Sequence, residues 1–182
     1  MTILKDPFFW AFLSTIGWAM GMLTVGSPTV GRHMLHGIVG SALAQIPRII
    51  LPLPWIVSAQ PFFNAPIALQ IVAGLVCLVA LYFSVPGLGS KIYTRPTITE
   101  PLRTDGHYGI VRHPILFANI LWPLGWSVIF GSWVGLALVP VWFYLVYLMS
   151  FIEEDRLVET YGDDYRRYRE QVPRLIPFVR FL

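Results

Sequence analysis

Charged side chains are absent from three long stretches of the chain, residues 7–31, 49–90 and 115–152. About 20 apolar residues cross the hydrocarbon core of a bilayer, so the 38 residues of the last stretch are too many for one crossing. A turn near Gly131-Ser132 divides them into two helices of ordinary length. The pattern predicts an all-α, polytopic bundle of about five spans, at residues 8–25, 34–57, 63–85, 115–130 and 133–152. The second departs from the rule, because Arg48 lies in it between Pro47 and Pro52. The tract from Pro47 to Pro54 is expected to kink or to leave the helix. Phe8 to Val25 follows a single Lys and ends without a small-x-small cleavage site, so it reads as a retained first span.

Basic residues orient the bundle. With the N-terminus outside, Arg32 falls in the first inner loop. Lys91, Arg95, Arg103 and Arg112 fall in the second, and Arg156, Arg166, Arg167, Arg169, Arg174 and Arg180 in an inner tail. That places eleven of the thirteen basic residues on one face and makes the C-terminus cytosolic, with a prokaryotic inner membrane the expected setting. Trp10, Trp55, Trp122, Trp133 and Tyr93 lie near span ends and read as an interfacial belt.

Composition agrees: 55% of the residues are hydrophobic and 13% charged, about half the charged fraction of soluble domains. Cys77 is alone in a span, which excludes an intrachain disulfide. No metal-ligand spacing or nucleic-acid motif stands out. No repeat or linker divides the chain, so residues 1–182 read as one domain. Its N-terminal spans occupy 1–98 and a polar-chemistry half occupies 99–178.

That half carries its ionisable groups in two segments, Lys91 to His113 and Glu153 onward. The hairpin 115–152 returns both to one membrane face, so Arg112-His113 and Glu153-Glu154 are expected side by side. Pro114 suits the first position of a helix, with His113 at its cap. The free amides and helix dipole there favour an anion, although Arg112 reads equally well as a cation meeting lipid headgroups. Glu153, one step from hydrocarbon, is a functional candidate, suited to an ammonium or to ribose hydroxyls. Asp155 reads as a solvated start to a cytosolic extension. Leu157 to Arg169 reads as an amphipathic helix, placed either on the bilayer, the simpler reading, or over a site, with Asp163–Arg167 and Asp164–Tyr168 as neighbours one turn apart. The residues alone reach as far as an organic zwitterion bound at the inner face.

Two blocks carry a resemblance. They are Leu102-x3-Gly106-x-Tyr108-x3-Arg112-His113-Pro114 and Glu153-Glu154-x2-Leu157-x4-Gly162-x2-Tyr165-x2-Tyr168-x3-Val172-Pro173-x2-Ile176-Pro177. At this separation, across a hydrophobic hairpin, they resemble the isoprenylcysteine carboxyl methyltransferases and the wider superfamily that includes phospholipid methyltransferases. The resemblance implies S-adenosylmethionine as the methyl donor and a lipidic or membrane-partitioned acceptor. It implies cofactor-binding roles for Leu102, Tyr108, Arg112, His113, Pro114, Glu153 and Glu154, with Arg112 bracing the corner. Two positions depart from the family pattern. Leu116, followed by Phe117, stands where Tyr is common. Met149 takes the substrate-binding position four residues before Glu153, where members that methylate a prenylcysteine carboxylate carry Arg. An apolar side chain cannot hold a carboxylate, which leaves the acceptor open, and no residue is assigned as a catalytic base. The alternatives are a membrane reductase of the sterol or enone type, or a non-catalytic membrane protein in which Arg48 lines a polar path.

Overall fold

The computed structural model describes residues 2–26, 34–87 and 101–179, and the side chains of all of these except 34–38. Seven α-helices lie in that part: α1 (Pro7–Gly26), α2 (Met34–Ile50), α3 (Ile67–Ser84), α4 (His107–Ile110), α5 (Pro114–Ile129), α6 (Trp133–Tyr161) and α7 (Asp163–Gln171). No strand accompanies them among the described residues, as the apolar pattern demands. Helices α1, α3 and α6 are long and apolar enough to cross a membrane, and α5 is a shorter apolar helix. The protein is an integral membrane protein with an all-helical fold.

The second expected span leaves the helix within the tract from Pro47 to Pro54, one of the two outcomes its prolines predict. Helix α2 ends at Ile50, and the chain then runs through turns as far as the start of α3. Prolines at 52 and 54 account for the exit, since each removes a backbone donor and restricts the residue before it. The exit segment closes the bundle away from the polar loops. The Phe63 amide donates to the Gly131 carbonyl at 2.8 Å, and the Ala59 amide to the Lys5 carbonyl at 3.1 Å. Ser132 caps α6 by accepting from the Gly135 amide at 2.9 Å, while its hydroxyl donates to Gln60 Oε1 at 2.6 Å. Gly131 occupies the tight turn of the hairpin with φ at 66°, and a side chain there would run into the Phe63 carbonyl.

Helices α1 and α2 touch through small residues. A Cβ at Gly17 would collide with the backbone of Ala44, and Ser14 donates to the Ala44 carbonyl at 2.9 Å. The Gly17-x-x-x-Gly21 spacing therefore marks a real close approach of the kind small residues permit between membrane helices. At the other end of α1, the Arg156 guanidinium donates to the Gly26 carbonyl, tying α1 to the polar extension of α6. The apolar core joins Trp18, Ala44, Leu116, Val146, Met149 and Leu175, so all the long elements except α3 contribute to it. Helix α3 packs along α5 and leaves Ile71, Val72, Leu75 and Leu78 exposed, a face suited to lipid.

Candidate active site

Helix α5 begins at Pro114 with His113 as its cap residue, as the Arg-His-Pro order predicts. The hairpin returns α6 beside it, and the apolar stretch of α6 gives way at Ile152 to Glu153, Glu154 and Asp155. His113 Nδ1 lies 2.9 Å from Glu153 Oε2, and His113 Nε2 lies 3.4 Å from Glu154 Oε1. The two polar segments that the hairpin was expected to join are in direct contact.

The two glutamates have different surroundings. Glu154 is 3% exposed and sits at the centre of a cation cluster. It pairs with Arg112 Nη2 at 2.8 Å and accepts from Arg174 Nη2 at 2.8 Å and Arg174 Nε at 3.2 Å. Two guanidiniums and an imidazole around one buried carboxylate form a compensated, load-sharing group of the kind that tolerates burial. The Glu153 side chain keeps 31% of its surface exposed, so this carboxylate faces outward while His113 holds it. Asp155 is exposed, in keeping with its solvated reading.

His113 is buried, which opposes its charged form. The hydrogen bonds and charges of Glu153 and Glu154 outweigh that burial, and its pKa lies above the usual imidazole value. With a carboxylate at each ring nitrogen, the imidazolium is a double donor. It therefore works as a clamp on the two carboxylates, and its nitrogens are unavailable to a proton acceptor's role.

The tail takes the second of its two expected places, over the corner, and its helix is broken. Helix α6 continues to Tyr161, Gly162 turns the chain at φ 56°, and α7 follows. Tyr165 and Tyr168 are 1% and 6% exposed, so this segment packs on the corner instead of lying on the bilayer. The physical reason lies in Arg112. Its Nη1 donates to the carbonyls of Arg169 at 2.6 Å and Val172 at 3.0 Å. The main chain repeats the attachment, with the Arg112 amide on the Pro173 carbonyl at 2.8 Å and the His113 amide on the Arg174 carbonyl at 3.1 Å. Tyr168 donates to the Tyr108 carbonyl at 2.6 Å. Within α7, Asp163 pairs with Arg166 and Asp164 with Arg167, one residue closer than the expected partners.

Arg112 thus braces the corner and has no free fork for a headgroup. Burial raises the pKa of both tyrosine phenols, so they remain neutral donors. The Tyr165 hydroxyl is buried without a partner among the described residues. Tyr108 is half-buried beside Glu153, and the Arg103 guanidinium lies 5.5 Å from its ring centre. Leu102 lines a separate stretch of the same face, a cleft of about 570 Å³ with Thr104, Thr160 and Tyr161. Met149 is 1% exposed and belongs to the apolar core, one helical turn beneath Glu153. Leu116 joins it there.

Two residues of the corner lay outside the sequence-based candidates. Arg174 had counted only as one more inner-face cation. Tyr165 stood in the motif without a role. Their positions depend on the tail folding back over residue 112, and helical spacing gives no hint of that. His107 leans on Tyr82, with ring centres 4.3 Å apart. The positions of Arg32, His33, Lys91, Tyr93, Arg95 and Arg180 lie outside the described residues, as does the side chain of His36.

Residues 67–164, more than half of the chain, match the phospholipid methyltransferase family. The chain belongs to that family. A protein-S-isoprenylcysteine O-methyltransferase of Schizosaccharomyces pombe is 35% identical over 79 residues, 43% of this chain and 34% of that protein. A Delta(14)-sterol reductase of Mus musculus is 31% identical over 94 residues, 47% of this chain and 22% of the reductase. A protein-S-isoprenylcysteine O-methyltransferase B of Arabidopsis thaliana is 26% identical over 160 residues, 86% of this chain and 80% of that relative. The match thus spans about a third of the yeast relative and about a fifth of the reductase, but most of the plant one.

Proposed function

We propose that this protein transfers a methyl group from S-adenosylmethionine to an acceptor that partitions into the membrane. The outward-facing Glu153 carboxylate, held on the buried His113 clamp, is the observation that carries the reading. That carboxylate suits the ammonium or the ribose hydroxyls of the donor, and the buried Tyr165 hydroxyl, without a partner among the described residues, is a further polar group of the corner. Leu102 and Tyr108 supply apolar and aromatic surface, while Pro114 sets the start of α5 against the clamp. Glu154 and Arg112 act behind them, fixing the geometry of His113.

When bound, S-adenosylmethionine supplies an electrophilic methyl group on a sulfonium. The residues of this chain contribute orientation and exclusion of water. The buried apolar layer of Leu116 and Met149 directly beneath the polar corner keeps water from that side of it. The corner lies on the face where α6 ends, and the concentration of arginines there supports a cytosolic placement.

The relationship to a sterol reductase favours a second reading, hydride transfer from NADPH. A nucleotide with several phosphates needs free cations. The buried cations of the corner, Arg112 and Arg174, are both committed to Glu154. Thermal unfolding in detergent separates the two. Stabilisation by S-adenosylmethionine and S-adenosylhomocysteine is expected, following mass action, and stabilisation by NADPH alone would replace methyl transfer with reduction.

A further inference from the structure

Beyond α7 the chain does not stay at the level of the polar corner. The Arg112 and His113 amides hold the carbonyls of Pro173 and Arg174, and the next two residues turn inward. Leu175 is fully buried in the apolar core with Trp18, Leu116 and Met149, and Ile176 packs against the same core. Met149 lies one helical turn beneath Glu153, inside the charge-free stretch of α6. Leu175 and Ile176 therefore stand at the edge of the hydrocarbon, below the carboxylates that mark the aqueous side.

A tight turn follows. The Val179 amide donates to the Ile176 carbonyl at 3.1 Å, so Pro177 and Phe178 are the central pair. Pro suits the first of these positions, while a positive φ at the second is the place of Gly or Asn. Phe178 occupies it with φ at 68°, a strained conformation for a bulky side chain. The turn throws the ring outward and leaves it almost without neighbours. At 97% it is more exposed than any other large apolar residue among those described. An outlier of this kind points to a role for the side chain it displays.

The surroundings say what covers the ring. Arg174 pairs with Glu154, and its guanidinium also lies 3.8 Å from the centre of the Phe151 ring. Phe151 is exposed on the charge-free stretch of a membrane-crossing helix, so it faces lipid. The tail thus meets the lipid side of α6 at residue 174 and the apolar core at 175. Two residues of chain reach at most about 7 Å, which keeps Phe178 near the depth of Ile176, at the boundary of headgroups and acyl chains.

We propose that Leu175 to Phe178 form a wedge in the leaflet on the corner's side, with the Phe178 ring inserted among lipid acyl chains. Lipid then covers the outer side of the segment whose carbonyls Arg112 and His113 hold. Docking of the tail, and with it the delivery of Arg174 to Glu154, is coupled to the bilayer. The wedge is independent of which group the corner transfers.

The test uses the full chain in nanodiscs of phosphatidylcholine and phosphatidylglycerol, with Cys77→Ala removing the native thiol. A nitroxide is attached at Phe178→Cys, at Leu75→Cys on the exposed face of α3, and at Asp163→Cys at the exposed start of α7. Collisions with oxygen, which concentrates among acyl chains, and with a water-soluble nickel chelate report each environment. The label at 178 should favour oxygen, as the label at 75 does. A preference for nickel matching that at 163 overturns the proposal. Spin–spin broadening between copies at 178 also overturns it, since a second chain would then be the cover. Hydrogen exchange gives a reading without a label. Phe178→Gly relieves the backbone strain, so a ring without a partner predicts unchanged or slower exchange of the Arg112 and His113 amides, and that result refutes the wedge. The wedge predicts exchange about tenfold faster at those amides, with the wild-type rate restored by Phe178→Trp, which returns an aromatic ring to the interface.

Discussion

Replacing Glu154 by Gln keeps the size of the side chain and removes the charge at the centre of the corner. Arg112, Arg174 and His113 would then face a neutral amide in a position only 3% exposed. Breaking a buried ion pair from one side costs about 3–5 kcal/mol, because the remaining charge has no compensation. A chain of this length loses roughly 2–4 °C of melting temperature per kcal/mol, so a fall of about 10 °C is expected. Thermal unfolding of the ligand-free protein in detergent measures it. Adding Arg174→Leu to Glu154→Gln removes one of the stranded cations and should recover part of the loss. A fall of under about 2 °C would show that the corner does not depend on this carboxylate for its cohesion.

The neighbouring Glu153→Gln should lower the melting temperature little, since its side chain is 31% exposed, but should abolish stabilisation by S-adenosylhomocysteine; an undiminished ligand shift would remove Glu153 from the site. The raised pKa of His113 contributes stability that is complete below about 6.5, its ordinary value, and is lost as the pH rises through the higher folded value. The wild-type melting temperature should therefore decline across that alkaline limb, and His113→Asn should flatten the decline; an unaltered slope in the variant would assign it elsewhere. Gly131→Ala places a Cβ at φ 66° against the Phe63 carbonyl and should cost at least about 1–2 kcal/mol, read as a lower denaturant midpoint, and an unchanged midpoint would mean that the turn relaxes freely.

The hairpin, its turn and the start of α5 were all legible, because each has a local cause. A charge-free run too long for one crossing must fold back, and Pro after His sets a helix start. The adjacency of residues 112–113 and 153–154 followed from those two facts alone. Arg174 and Tyr165 were not legible. Their placement comes from main-chain pairing between residues 112–113 and 173–174, which leaves no periodic trace. The ranking of the glutamates was only partly visible, for Glu153 and Glu154 look alike until helical rotation sends one inward. For Arg48 the sequence offered a polar path, whereas Trp18, Trp122 and Trp142 enclose a fully buried guanidinium. Helix α2 leaves its course after Ile50, one of the two outcomes expected of the tract from Pro47 to Pro54, with prolines at 52 and 54 as the cause.

The clamp of residues 172–174 over Arg112 has a consequence for biosynthesis. Arg174 lies twenty positions after Glu154, so a ribosome that has just released the hairpin has not yet delivered this partner. Glu154 must wait beside the inserted helices with Arg112 and His113 as its counter-ions. The corner can therefore mature only after residues 172–174 emerge and dock, and substitutions that slow this docking should expose the nascent chain to quality-control proteases.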